Sequence, residues 1–138
     1  MGTKIEINAE LKPGIKAEAR ELVSKTNTAS IWGSGGLDVY ATPAMIALME
    51  KASVLAAAPF LPDGYSTVGT NLNVKHIASS PIGAKIRAEA VLTAVDNRKL
   101  LYEVRAWDDK DLIGEGSHER FIIDNKKFME KTNAKQEH

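Results

Sequence analysis

PAMIALMEKASVLAAA, residues 43–58, is apolar on almost every side of a helical turn, with Glu50 near its middle. Thr42 stands before it as a cap and Pro43 suits a first helical turn, so the stretch predicts a helix buried nearly all round. A lone carboxylate in such a helix has to be paired, brought to solvent or put to work, because an ionised group stranded among apolar side chains is costly. Lys51 is badly placed to neutralise it, since adjacent residues on a helix do not face each other. Two readings of Glu50 stay open: an edge or Arg-paired carboxylate, and a working one.

Working outward, the chain after this helix changes period. PFLPDGYS (residues 59–66) breaks it with Pro59, Pro62 and the Asp63-Gly64 turn signal. Ala84, Ile86, Ala88, Ala90, Leu92 and Ala94 then alternate with Arg87, Glu89 and Thr93, the period of a strand with one buried face. The turn DNRK, the run LLYEVRAW, the turn DDKD and the run LIGEGSHERFII follow as an antiparallel meander, and STVGTNLNVKHI before it reads as a fourth strand. One long helix plus such a sheet is an α+β domain in which the sheet buries a face on the helix.

The flanks are less decided. IKAEARELV (residues 15–23) alternates like a strand but is composed like a helix. SKTNTASIWGSGGLDVY (residues 24–40) reads as a flexible Gly-rich loop, with Trp32 expected against the protein body. The tail KKFMEKTNAKQEH reads as a short amphipathic turn that frays.

At 138 residues the chain suits one domain, residues 1–138, with a real core. Lys plus Arg balances Asp plus Glu at 18 each, so nothing in bulk charge draws it to nucleic acid or an anionic membrane. The lack of cysteine removes disulfides, thiolate metal sites and a Cys nucleophile together. No apolar leader core and no charge-free stretch of transmembrane length is visible, so a soluble, cytoplasmic protein is expected. No metal-ligand spacing, phosphate-binding glycine loop or GxSxG elbow occurs; no metal and no cofactor are expected.

Three side chains could carry chemistry: the hydroxyl of Thr42, the carboxylate of Glu50 and the imidazole of His76, which ends a strand in NVKHIASSP. His118, mid-strand in EGSHERF, reads more readily as structural, and His138 is terminal. Eight helical residues separate Thr42 from Glu50 by roughly 12 Å of rise and about 80° of rotation. Direct contact between them within one helix is excluded, so either His76 comes between two of them or a second subunit does.

ATPAMIALMEKAS, followed by STVGTNLNVKHIASSPIGAKIRAEAVLTAVDNRKLLYEVRAWDDKDLIGEGSHERFIID, resembles the fluoroacetyl-CoA thioesterase family of the hot-dog superfamily. The resemblance runs from about Val39 to Lys127. It implies a strongly curved antiparallel sheet wrapped around one central helix, and pairing as a homodimer with the site at the interface. The family's catalytic Thr, Glu and His fall on Thr42, Glu50 and His76. Its Gly in the strand before that His falls on Gly69, and its THER strand appears here as SHER, which places an Arg at Arg120; both are substrate-binding candidates. The family's aromatic lid before the helix is replaced here by IWGSGGLDVYAT, with Gly33 and Gly36 at the expected aromatic positions.

The activity implied is hydrolysis of a short or small acyl-CoA thioester to free acid and CoA. Without the aromatic wall, similar handling of acetyl- and fluoroacetyl-CoA and better tolerance of longer chains are expected. A non-catalytic acyl-CoA or small-ligand binding module is the rival from another class. A hydratase-type hot dog is disfavoured because its Asp-x-x-x-x-His arrangement is missing.

Overall fold

The computed structural model describes residues 6–136, so His138 lies outside the described residues. Five strands and three α-helices run in the order β1 (Lys16–Leu22), α1 (Ala29–Trp32), α2 (Thr42–Ala57), β2 (Tyr65–His76), β3 (Lys85–Asp96), β4 (Lys99–Trp107), β5 (Leu112–Asp124) and α3 (Asn125–Asn133). The strands form one antiparallel sheet in the order β1-β3-β4-β5-β2. β3, β4 and β5 are the expected meander. β2 crosses to the far side and leaves its outer edge free.

The sheet closes around α2, the arrangement expected of a hot-dog domain. Ala44, Met45, Leu48, Met49, Ala52 and Ala56 of α2 are buried with Ile86, Ala88, Ala90 and Leu92 of β3, Tyr102 and Val104 of β4, and Ile122 of β5. Alanines on both sides let the helix axis approach the sheet closely, and that burial of apolar area is the main favourable term of the fold. Bulges at Gly69/Asn71, Leu92/Ala94 and Ala106/Trp107 deepen the bend of the sheet. The second of these shifts the phase of β3, so Val95 rather than the expected Ala94 packs on the core.

The helix is not buried nearly all round. Pro43, Ala47, Lys51, Val54 and Leu55 are exposed in the single chain, leaving a mostly apolar stripe that runs past Glu50. Thr42–Phe60, which carries Glu50 and Lys51, is long and apolar enough to cross a membrane by length and composition; its packing inside the sheet accounts for that apolarity. Ala41, not Thr42, is the N-cap residue, and no side chain caps the helix.

The ambiguous segment resolves as strand. β1 pairs with β3 and its central Ala19 reaches the core, because tertiary pairing outweighs the helical preference of Ala, Glu and Arg. The Gly-rich segment contains the short helix α1, ended by Gly33 in the left-handed region (φ 70°). Trp32 is half-exposed and donates its indole N–H to the Thr26 carbonyl at 2.7 Å, which ties it to its own loop. The tail is a nine-residue helix, α3, started by the Asp124 carboxylate accepting from the Lys126 and Lys127 amides.

Candidate active site

β2 carries the site because of its bulge. Gly69 and His76 are seven residues apart, an odd spacing that in a regular strand sends them to opposite faces. The extra residue between Gly69 and Asn71 reverses the phase, and both then face α2. Gly69 has Glu50 beside it, in the middle of α2, and His76 has Thr42 beside it, at the start of the same helix.

At one end the Thr42 hydroxyl, released from any capping role, lies 2.7 Å from His76 Nδ1. His76 Nε2 is buried without a hydrogen-bond partner in the chain. Burial holds the imidazole below its ordinary pKa, and the Ala78 backbone works weakly the other way. A base kept neutral with one nitrogen unspent is suited to take a proton. This end opens into a cleft of about 370 Å³ whose lining includes Ser34, Gly35, Gly36, Leu37 and Ile77 beside Thr42 and His76.

Beside the middle of α2, Arg120 is buried and uses its whole guanidinium. Its Nε donates to Thr67 Oγ1 (2.9 Å), Nη2 to the Thr67 carbonyl (2.9 Å), and Nη1 to Glu50 Oε2 (3.2 Å) and His118 Nε2 (3.1 Å). His118, itself buried, donates from Nδ1 to the Asn71 carbonyl at 2.8 Å, at the bulge. Those two bonds define a neutral imidazole, in line with a pKa lowered chiefly by burial and also by the Arg120 charge. Gly69 makes the cluster possible. A Cβ there would lie 2.9 Å from Glu50 Oε2 and 3.2 Å from His118 Cε1.

Glu50 is thus Arg-paired, one of the two readings the sequence left open, and its side chain is still 38% exposed. Within the chain it is bonded to neither Thr42 nor His76: the three candidate residues form two half-sites rather than one. His118 is the structural, hydrogen-bonded histidine its mid-strand position suggested. Its partnership with Arg120 had a signal in their spacing of two, which puts both on one face of β5. Thr67 and Asn71 had no such signal. Among the described residues no three His, Cys, Asp or Glu side chains gather as a metal-binding group.

The two depressed histidines have a consequence for acid stability. Unfolded, both bind a proton near the ordinary value; folded, both resist it. The unfolded state therefore holds more protons just below that value, and stability falls with pH until the folded pKa is passed. The urea midpoint is expected to drop between about pH 7 and pH 5, and to drop less in His76→Ala. A midpoint flat over that range contradicts the burial of both rings.

Residues 23–126 match the family described as fluoroacetyl-CoA-specific thioesterase. The fluoroacetyl-CoA thioesterase of Streptantibioticus cattleyicolor is 42% identical over 98 residues, which are 71% of this chain and 70% of that protein. A solved structure of the fluoroacetyl-CoA thioesterase is 33% identical and superposes with a TM-score of 0.86, covering 91% of this chain and 98% of that one. A hot-dog-like protein from Thermanaerovibrio acidaminovorans, 18% identical, superposes with a TM-score of 0.87 over 97% of this chain and 99% of that one. At that identity the likeness is one of fold alone.

Proposed function

The chain belongs to the fluoroacetyl-CoA-specific thioesterase family and is a thioester hydrolase; from that premise we propose how it acts. Water and an acyl-CoA give a free acid and CoA, with the attacking oxygen activated between Thr42, His76 and Glu50. His76 serves as base or orienting partner. Glu50 serves as nucleophile or water-activating base, and Thr42 positions the attacking group. The Gly69 amide stabilises the oxygen on which charge develops, and Arg120 serves substrate binding through Glu50, whose carboxylate it holds. The observation that carries this reading is the 2.7 Å contact of Thr42 Oγ1 with His76 Nδ1 at the end of an open cleft.

The site is completed in a homodimer. β2 is a twelve-residue edge strand without proline, the kind of edge a second strand adds to. Antiparallel pairing of two β2 edges about a two-fold axis sets the Thr42/His76 end of one protomer beside Glu50 of the partner subunit. The same pairing offers cover for Leu72, Val54 and Leu55, which are exposed in the single chain. A cytoplasmic location goes with this reading, since a cysteine-free chain needs no oxidising compartment.

The activity is tested by incubating the purified protein with a panel of acyl-CoAs and a thiol-reactive dye; CoA release is expected, and binding without release favours a non-catalytic module. Sedimentation at micromolar concentration tests the assembly separately, with a dimer expected. A monomer that turns over at full rate overturns the shared site.

A further inference from the structure

The loop after α1 holds three glycines, Gly33, Gly35 and Gly36, with different reasons to be there; a Cβ at Gly35 would already touch Ala29 at 3.4 Å. Gly33 has φ 70° and its amide closes α1 onto the Ala29 carbonyl, so the backbone itself calls for glycine. Gly36 has no left-handed φ, and a Cβ built on it meets nothing within 4 Å. Neither conformation nor crowding requires glycine at 36. What the missing side chain leaves is space, in the wall of the cleft that ends at Thr42 and His76.

That cleft, of about 370 Å³, has room for roughly a dozen waters at about 30 Å³ each. A two-carbon acyl group displaces only a few of them. The cleft is also apolar where a chain would lie. Leu37 and Ile77 line it and are 70% and 53% exposed, and Val39 and Ala78 belong to the same lining. Apolar side chains held open to water beside a reaction centre gain from an apolar occupant.

Resting on the thioesterase reading, we propose that this cleft is an acyl-chain channel, that the substrate is a saturated acyl-CoA with a chain of about four to eight carbons, and that Gly36 sets this length. Each methylene transferred from water into such a channel is worth about fourfold in the specificity constant. Because the cleft is open on one side, the gain per methylene falls short of that. From acetyl- to hexanoyl-CoA the expected rise is at least roughly tenfold.

The test measures kcat/KM for acetyl-, butyryl-, hexanoyl- and octanoyl-CoA in the native protein, in Gly36→Leu and in Leu37→Ser. The native series is expected to rise to hexanoyl. Gly36→Leu fills the wall and lowers the hexanoyl-to-acetyl ratio at least roughly tenfold, while Leu37→Ser lowers it less by removing apolar contact. A native protein that hydrolyses acetyl-CoA with a flat or falling series overturns the channel and leaves the thioesterase reading standing. Release of CoA from fluoroacetyl-CoA, run beside them as a fifth substrate, but from none of the four overturns the channel alone, and release from none of the five overturns both. A rising series with the ratio untouched by Gly36→Leu removes Gly36 as the length-setting position; where the leucine variant does not fold, Gly36→Val, whose Cβ meets nothing within 4 Å, makes the same decision, an unchanged ratio again removing Gly36.

Discussion

Glu50→Gln and His76→Ala each lower thioester hydrolysis by at least roughly 100-fold, the loss expected for groups that move a proton or attack carbon. The two substitutions act on different half-sites, so the fold should survive both. Glu50 is 38% exposed and its amide replacement still accepts from Arg120. His76 stands at the end of β2, and its removal leaves no buried acceptor stranded beyond the Thr42 hydroxyl, which is exposed. Thr42→Ala should be milder, because a water can replace part of a positioning hydroxyl. Its cost in stability is also small, since Ala41 rather than Thr42 is the N-cap residue. In a shared site the two inactive variants complement each other: mixing Glu50→Gln with His76→Ala restores a fraction of activity as mixed dimers form. Near-native turnover by Glu50→Gln refutes the carboxylate's role, and absence of complementation in a mixture shown to exchange subunits refutes the shared site.

Arg120→Ala is expected to destabilise the protein by about 3 kcal/mol, the scale seen when one member of a buried charged network is removed. The guanidinium satisfies Thr67 Oγ1, the Thr67 carbonyl, His118 Nε2 and Glu50 at once. Deleting it leaves the buried His118 Nε2 and the half-buried Thr67 acceptors unpaired, a buried one costing roughly 1–3 kcal/mol before relaxation or water entry. Glu50 adds less, because solvent already screens it. Arg120→Lys does not rescue the variant, since an ammonium cannot span four acceptors in a fixed fork. The check is thermal or urea unfolding at matched protein concentration, with a melting point lowered by about 10 °C. A melting point within about 2 °C of native would show that the network contributes specificity rather than stability.

Gly69 and His118 show why the substrate end of the site was only half legible. Gly69 could be aligned with a family motif, but its reason to be glycine is a distance of 2.9 Å to a carboxylate on another element, which no local pattern encodes. His118 looked like a lone strand histidine. Its partners Asn71 and Arg120 became partners only when β2 and β5 paired with a bulge between Gly69 and Asn71. The Gly-rich segment is the loop it was read as, apart from α1, a single turn too short for any periodicity to show.

The sequence by itself determined the architecture. Sixteen residues of nearly unbroken apolar character with one carboxylate, followed by period-2 runs separated by polar turns, leave little choice but a helix held by an antiparallel sheet. The same local patterns named Thr42, Glu50 and His76, because a misplaced carboxylate and a strand-end histidine stand out against an apolar ground. Only the tertiary structure decided how those residues are grouped. An odd spacing between Gly69 and His76 reads as opposite faces until a bulge reverses the phase. A helix read as buried nearly all round keeps an exposed stripe in the single chain. Hydrophobic period reports which residues seek cover. Which element or which second copy provides it depends on contacts far apart in the chain, and those exist only after folding.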